Sequence, residues 1–186
     1  MGSMPLHSGP VAAVVLLLLL AGVQKLIDPS PTAGALRSAG FPSHRNLVRL
    51  LAAVEVIVGG SFFVAGGPWP VLGAAVLYLG FAGFVALALT RNLPVSSCGC
   101  LGKVDTPPSV VHVAVNLGAV VVLVVAAIIP IEPMGGLVGQ SAGVVVPQVL
   151  LIGAVTYLLY GLLTALPLVG RRALRATPMP EPGRRA

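Results

Sequence analysis

Charge is scarce in this chain. Of 186 residues only 9% are Asp, Glu, Lys or Arg, where a soluble domain carries about 25%. Acidic residues are the rarest, 5 against 11 basic ones. Cysteine occurs twice, which rules out a disulfide framework of the kind that staples small secreted folds. There is no Walker loop, no zinc-protease motif, no serine triad and no internal repeat. The chain therefore offers no motif for phosphate cradling, metal-assisted proteolysis or acyl transfer.

What fills the chain instead is apolar, 56% of all residues. The apolar residues form runs at 11–27, 45–65, 71–90, 110–129 and 144–166. Each is about as long as the roughly 20 residues needed to cross a bilayer core. Lipid offers no hydrogen-bond partner to the backbone, so the runs are expected to be helices. The class is an all-α integral membrane protein with five spans. Val11–Ile27 resembles a signal peptide in length, but no basic residue precedes it and no Ala-X-Ala site follows, so it reads as a first span. Asp28-Pro29 stops it. Residues 30–44 read as a polar connector with a short interfacial turn at Leu36–Ala39. Residues 131–143 form a glycine-rich loop, and 167–186 a basic, proline-rich tail expected to be disordered.

The net charge of +6 would suggest nucleic acid in a soluble protein. Here the rule that basic residues stay on the cytoplasmic side accounts for it. With five alternating spans, Lys25, Arg37, Arg45, Arg49, Arg91, Lys103, Arg171, Arg172, Arg175, Arg184 and Arg185 all fall on one side. The expected partner is the lipid bilayer of the cell membrane and not nucleic acid, with the C-terminus and the 91–109 loop cytoplasmic.

Both cysteines lie in that loop, as Ser96-Ser97-Cys98-Gly99-Cys100-Leu101-Gly102. Glycines flanking Cys100 let the backbone turn so that both sulfurs share a side. Three readings stay open. A disulfide between residues i and i+2 closes a small, strained ring that is easily reduced, which suits electron exchange. Two thiolates are half of a structural zinc site, with His112 the nearest further ligand and no second Cys pair, so no metal site is expected. The third reading is a plain turn. On the cytoplasmic side a lasting disulfide would be unusual.

Few polar residues lie within the spans, where charge is costly and tends to be functional. Glu55 sits about 12 Å inside the second span, counting 1.5 Å per residue from Leu47. It reads as a proton acceptor, a paired acid or a structural hydrogen-bonding group. Lys25 either reaches the head groups or pairs with Glu55, since consecutive spans run antiparallel. Arg91 anchors the topology and could also favour a thiolate in the loop. His112 and Asn116, four residues apart, share a helix face. His112 is one turn from the cysteine loop, where a base could help form a thiolate, or it is an interfacial histidine. Asn116 bridges helices or touches a ligand. Gly80-Phe81-Ala82-Gly83 and Val58-Gly59-Gly60-Ser61 are small-residue patches that permit close helix packing.

Together these residues resemble a family. Ala21-Gly22-Val23-Gln24-Lys25-Leu26-Ile27-Asp28-Pro29 closing the first span, Glu55 in the second, Arg91 through Cys98-Gly99-Cys100-Leu101-Gly102 after the third and Asn116 in the fourth are similar to the MauE branch of the DoxX-like membrane proteins. The resemblance covers residues 11–130. That family more often has Phe at the place of Leu101 and a basic residue at that of Val115. It implies a four-helix membrane bundle tied to thiol redox, to which the fifth helix is an addition. Its named members assist maturation of the disulfide-rich small subunit of methylamine dehydrogenase.

The expected function is thus thiol–disulfide redox with Cys98 and Cys100 as the pair, supported by Lys25, Glu55 and His112. Arg91 and Asn116 are the candidate cofactor contacts. A lipid quinone is the candidate electron partner, though no residue demands one. A client thiol protein is the expected macromolecular partner, and a homo-oligomer is compatible with so short a chain. Two rivals stand beside this: an assembly factor that holds a client without catalysis, and a small-solute transporter using Glu55 as its proton site.

Overall fold

The computed structural model describes residues 8–95, 107–128 and 141–176. Its elements are all helical: α1 Ser8–Ile27, α2 Ser30–Ser38, α3 Arg45–Ala65, α4 Pro68–Thr90, α5 Val110–Ile128 and α6 Ala142–Ala176. Five of them are long and apolar enough to cross a membrane. Only α2 is short.

The helix ends follow from local chemistry. Pro68 and Pro70 lie in the first turn of α4, where a missing N–H costs nothing. Two C-termini close with the same left-handed device. After α2, Gly40 adopts φ 79°, and the Phe41 and Gly40 N–H groups donate to the carbonyls of Leu36 and Arg37. After α4, Asn92 takes φ 48°, and Leu93 and Asn92 donate to Ala88 and Leu89. Both capture orphan carbonyls of the last turn.

α1 is the central element. It packs against each of the other four spans. Its N-terminal half is apolar all the way round and mostly buried, while Leu20, Val23 and Leu26 nearer its C-terminus are exposed. Val11, Ala12, Ala13, Val15, Leu17 and Leu18 are all buried. Around it, Phe62 of α3, Val71, Ala74 and Tyr78 of α4, Ala119 and Leu123 of α5 and Ile152 of α6 complete the core. Polar groups inside this core satisfy themselves on backbone carbonyls. The Tyr78 hydroxyl donates to Val14 O at 2.8 Å, and Thr156 Oγ1 donates to Ile152 O at 2.8 Å and to Ala13 O at 3.3 Å. In a bilayer such bonds are the alternative to an unpaired polar group in hydrocarbon.

α1 and α3 approach each other closely with help from two glycines. A Cβ on Gly22 would lie 2.9 Å from Glu55 Cβ and 3.0 Å from the Ala52 carbonyl. One on Gly59 would lie 3.1 Å from Leu19 Cβ. The small patch around Gly59 thus serves close packing as its composition suggests. The Gly80–Gly83 patch does not: a Cβ at either glycine meets nothing within 4 Å. These two glycines border open space on the outer side of α4.

Two stretches differ from the sequence-based expectation. Residues 30–38 are a full helix, not a connector with a turn at 36–39. Prolines at 29 and 31 sit where a helix start tolerates them, and burial of Thr32, Ala33 and Ala35 supplies the stabilisation that composition alone does not signal. α6 runs to Ala176, past the expected boundary at 166. Its apolar portion ends at Ala165, and helical backbone continues into the basic segment. The remaining tail residues, like Cys98 and Cys100, lie outside the described residues.

Chain direction places the C-terminus of α1, all of α2, the N-terminus of α3, the C-terminus of α4 and the N-terminus of α5 at one end of the bundle. We call this the near end. It carries Lys25, Arg91 and His112.

Candidate functional site

In a helix each Cα–Cβ bond tilts toward the N-terminus. α1 and α3 run antiparallel, so a residue near the end of α1 leans down into the bundle while one on α3 leans up toward the near end. Lys25 and Glu55 lean toward each other for this reason. Gly22 removes the side chain that would stand between the two helices one turn deeper. The result is a two-pronged ion pair, with Lys25 Nζ 2.9 Å from Glu55 Oε1 and 2.8 Å from Oε2. Side-chain exposure is 1% and 0%, so neither group can exchange its partner for water without movement of the helices. The ammonium also sits 4.9 Å from the centre of the Phe81 ring on α4, within cation–π range. The pair thereby ties three helices together. Of the two readings open for Lys25, the geometry is that of the ion pair.

His112 lies one turn into α5 and is buried. Its Nδ1 is 2.8 Å from the Ser109 hydroxyl, which fixes the ring against the start of its own helix. Asn116, also buried, donates from Nδ2 to the His112 carbonyl at 2.6 Å. Its hydrogen bond therefore runs along α5. Arg91 is exposed at the C-cap of α4. Cys98 and Cys100 are outside the described residues, but both roots of their loop are placed. Val95 is buried in a small cluster with Ala35 of α2 and Ala88 of α4. Pro107 is buried on the other side and leads through Ser109 to His112.

Sequence reasoning did not find a cleft beside the ion pair. About 250 Å³ of space opens between α2, α3 and α4, with Lys25 in its lining. Thr32, Ala35 and Leu36 form the α2 wall, Leu51 the α3 wall, and Val76, Leu77, Gly80, Phe81 and Phe84 the α4 wall. A second hollow of about 320 Å³ shares Leu36, Gly80 and Phe84 and continues past Phe41, Gly83 and Leu87. The only signal in the sequence was Gly80-Phe81-Ala82-Gly83, which is equally consistent with helix packing. The opposite wall, α2, was not expected to be a helix.

A bundle with five helices long and apolar enough to cross a membrane, enclosing a buried ion pair, defines a multi-span helical membrane protein. Comparison with curated proteins and with solved structures gives no match. Residues 5–131 match the family described as Methylamine utilisation protein MauE; the chain belongs to the MauE family. The match takes in α1 to α5, hence the ion pair, the cysteine loop, His112 and Asn116, and leaves α6 outside it.

Proposed function

We propose that the protein exchanges thiols and disulfides at the membrane through Cys98 and Cys100, within a bundle similar to the DoxX-like proteins. The observation that carries this reading is the anchoring of the cysteine loop. One root packs on α2 through Val95 and Ala35. The other leads into a buried His112 held by Ser109. Both roots stand at the end of the bundle that holds the Lys25–Glu55 pair. A reactive dithiol needs defined surroundings and a nearby base, and the placed roots and His112 support that reading.

In the exchange a thiolate attacks a disulfide sulfur, a mixed disulfide forms, and the displaced sulfur leaves as thiolate. The remaining thiol of the attacking pair then resolves the intermediate. One dithiol is oxidised by two electrons and one disulfide is reduced by two. The family resemblance supports a client such as the disulfide-rich small subunit of methylamine dehydrogenase. The concentration of basic residues on one side supports a cytoplasmic loop and C-terminus. Pairing of Glu55 with Lys25 speaks against the transporter reading, which calls for a lone proton-binding acid.

The test is to trap the intermediate. Cys98→Ser and Cys100→Ser, expressed singly in cells, each leave one sulfur that cannot be resolved from within. At least one should accumulate as a mixed disulfide with a client, and both should lose function. If both single variants keep wild-type function and carry no adduct, the exchange reading fails and a non-catalytic assembly factor takes its place.

A further inference from the structure

Asn116 is a buried side chain whose hydrogen-bonding capacity the fold leaves partly unused. It is 5% exposed, and its one hydrogen bond runs from Nδ2 to the His112 carbonyl. Contact with a carbonyl oxygen fixes that atom as the nitrogen, so Oδ1 is the other end of the amide. Among the described residues nothing donates to Oδ1. Asn116 lies about 9 Å into α5, counting 1.5 Å per residue from Val110, and at that depth a bilayer offers the amide no partner. The side chain instead lines a void of about 20 Å³, closed by Leu18 and Ala21 on α1, Phe81 on α4 and Leu163 on α6. That is room for one water-sized group.

A larger hollow of about 270 Å³ adjoins the void and shares Leu17 and Tyr78 with it. Its walls include Val14 on α1, Gly118 and Val122 on α5, and Val155 and Leu159 on α6. Gly118 is exposed and Val122 half-buried, so the hollow opens sideways to the acyl chains. Leu151 lies beside Gly9, and Leu163 packs with Ala21, so α6 runs toward the near end as α1 does, and α5 runs away from it. Ala21, Asn116 and Leu163 therefore stand closer to that end than Val14, Val122 and Val155. The polar part of the space lies toward the membrane surface and the apolar part toward the bilayer interior, the order found in a lipid. Oδ1 needs a donor, and the second N–H of Nδ2 can serve an acceptor. A hydroxyl is both. A ketone oxygen only accepts and would leave Oδ1 as it is. A phosphate or carboxylate would bring charge into a lining that holds no cation, at a cost that neutral heads do not incur.

We infer that this space binds a long-chain primary alcohol dissolved in the membrane, with its hydroxyl on the Asn116 amide and its chain along Gly118 and Val122. One wall comes from Val155, Leu159 and Leu163 of α6, which lies outside the family match. The site is thus completed by the helix this chain adds to the family bundle, and it stands independently of the thiol exchange proposed above.

The test asks whether the hydroxyl is recognised. The full chain in phosphatidylcholine nanodiscs is irradiated with hexadecanol carrying a diazirine in mid-chain, and the labelled peptides are mapped. Label is expected on residues 115–122 and 155–163. Unlabelled hexadecanol should compete about three- to tenfold more strongly than its methyl ether, the scale of one hydrogen bond, because the ether has no proton for Oδ1. Decylbenzoquinone, which also only accepts, should compete no better than the ether. Asn116→Leu should remove the preference for the alcohol. Gly118→Leu should abolish the label, since a Cβ at Gly118 meets nothing within 4 Å and leucine there fills the hollow without forcing the helices apart. Absence of label from these segments, or label that neither variant changes, overturns the site. Equal competition by alcohol and ether in the wild type, or stronger competition by the quinone, overturns it as well and leaves the void to water. The wild-type comparison decides the matter even where a substituted chain fails to fold.

Discussion

The Lys25–Glu55 pair permits a quantitative test of what holds α1 to α3. Each partner is fully inside the protein, at 1% and 0% exposure, and Lys25 contacts both carboxylate oxygens within 2.9 Å. Lys25→Met keeps the unbranched stem and removes the charge. It leaves a fully buried carboxylate with no cation to meet it. Breaking a buried pair from one side costs about 3–5 kcal/mol. At roughly 2–4 °C per kcal/mol for a chain of this size, the unfolding midpoint should fall by about 6–20 °C. Glu55→Leu should cost a similar amount, since it strands the ammonium against Phe81. Replacing both removes the two desolvated charges together, and such replacements are often neutral or stabilising. Lys25→Met combined with Glu55→Leu should therefore be more stable than either single variant, with a coupling of about 3 kcal/mol or more. Thermal unfolding of the four proteins in one detergent measures this. Additive losses would show that the two residues do not depend on each other, and the ion pair would then not be what fastens α1 to α3.

Two further outcomes follow from other parts of the bundle. Gly22→Leu should destabilise by at least the roughly 1–3 kcal/mol typical of overpacking, because even its Cβ would crowd the Ala52 carbonyl and Glu55 Cβ; Gly60→Leu, with open space at its Cβ, is the control, and equal midpoints for the two would refute close α1–α3 packing. A membrane-impermeant maleimide applied to intact cells under reducing conditions should leave Cys98 and Cys100 unlabelled until lysis, and strong labelling beforehand would reverse the proposed sidedness.

The spans were legible because a bilayer imposes a simple code. Arg45–Ala65 runs from a basic residue to a Gly-Gly-Pro turn, and those are its bounds in the structure. The start of α4 lies three residues before the expected Val71, because prolines that read as a turn also fit a first helical turn. α2 was not legible. Its polar and apolar residues balance, and it contains proline and glycine, so nothing local distinguishes it from a connector. Burial of Thr32, Ala33 and Ala35 against neighbours distant in sequence decides it. The same limit applies to the site. Lys25 and Glu55 could be matched from antiparallel geometry, since each is the sole charge in its stretch of span. The cleft beside them has uncharged walls from three helices and acquires its shape only when α2 folds across the near end. Gly80 and Gly83 show the ambiguity most directly, because small residues mark contact and open space alike.

The ion pair also bears on how the chain first enters a membrane. An isolated Lys or Asp side chain at the centre of a helix raises the cost of insertion by about 2.5–3.5 kcal/mol, and α3 brings Glu55 well inside its span. Lys25 and Glu55 are 30 residues apart, an interval that a ribosome covers in about 2–6 seconds at 5–20 residues per second. If α1 and α3 leave the insertion machinery as one hairpin, the two charges reach hydrocarbon already joined and the lipid meets a dipole. α1 would then have its first partner before the helices that bury its other faces have been synthesised.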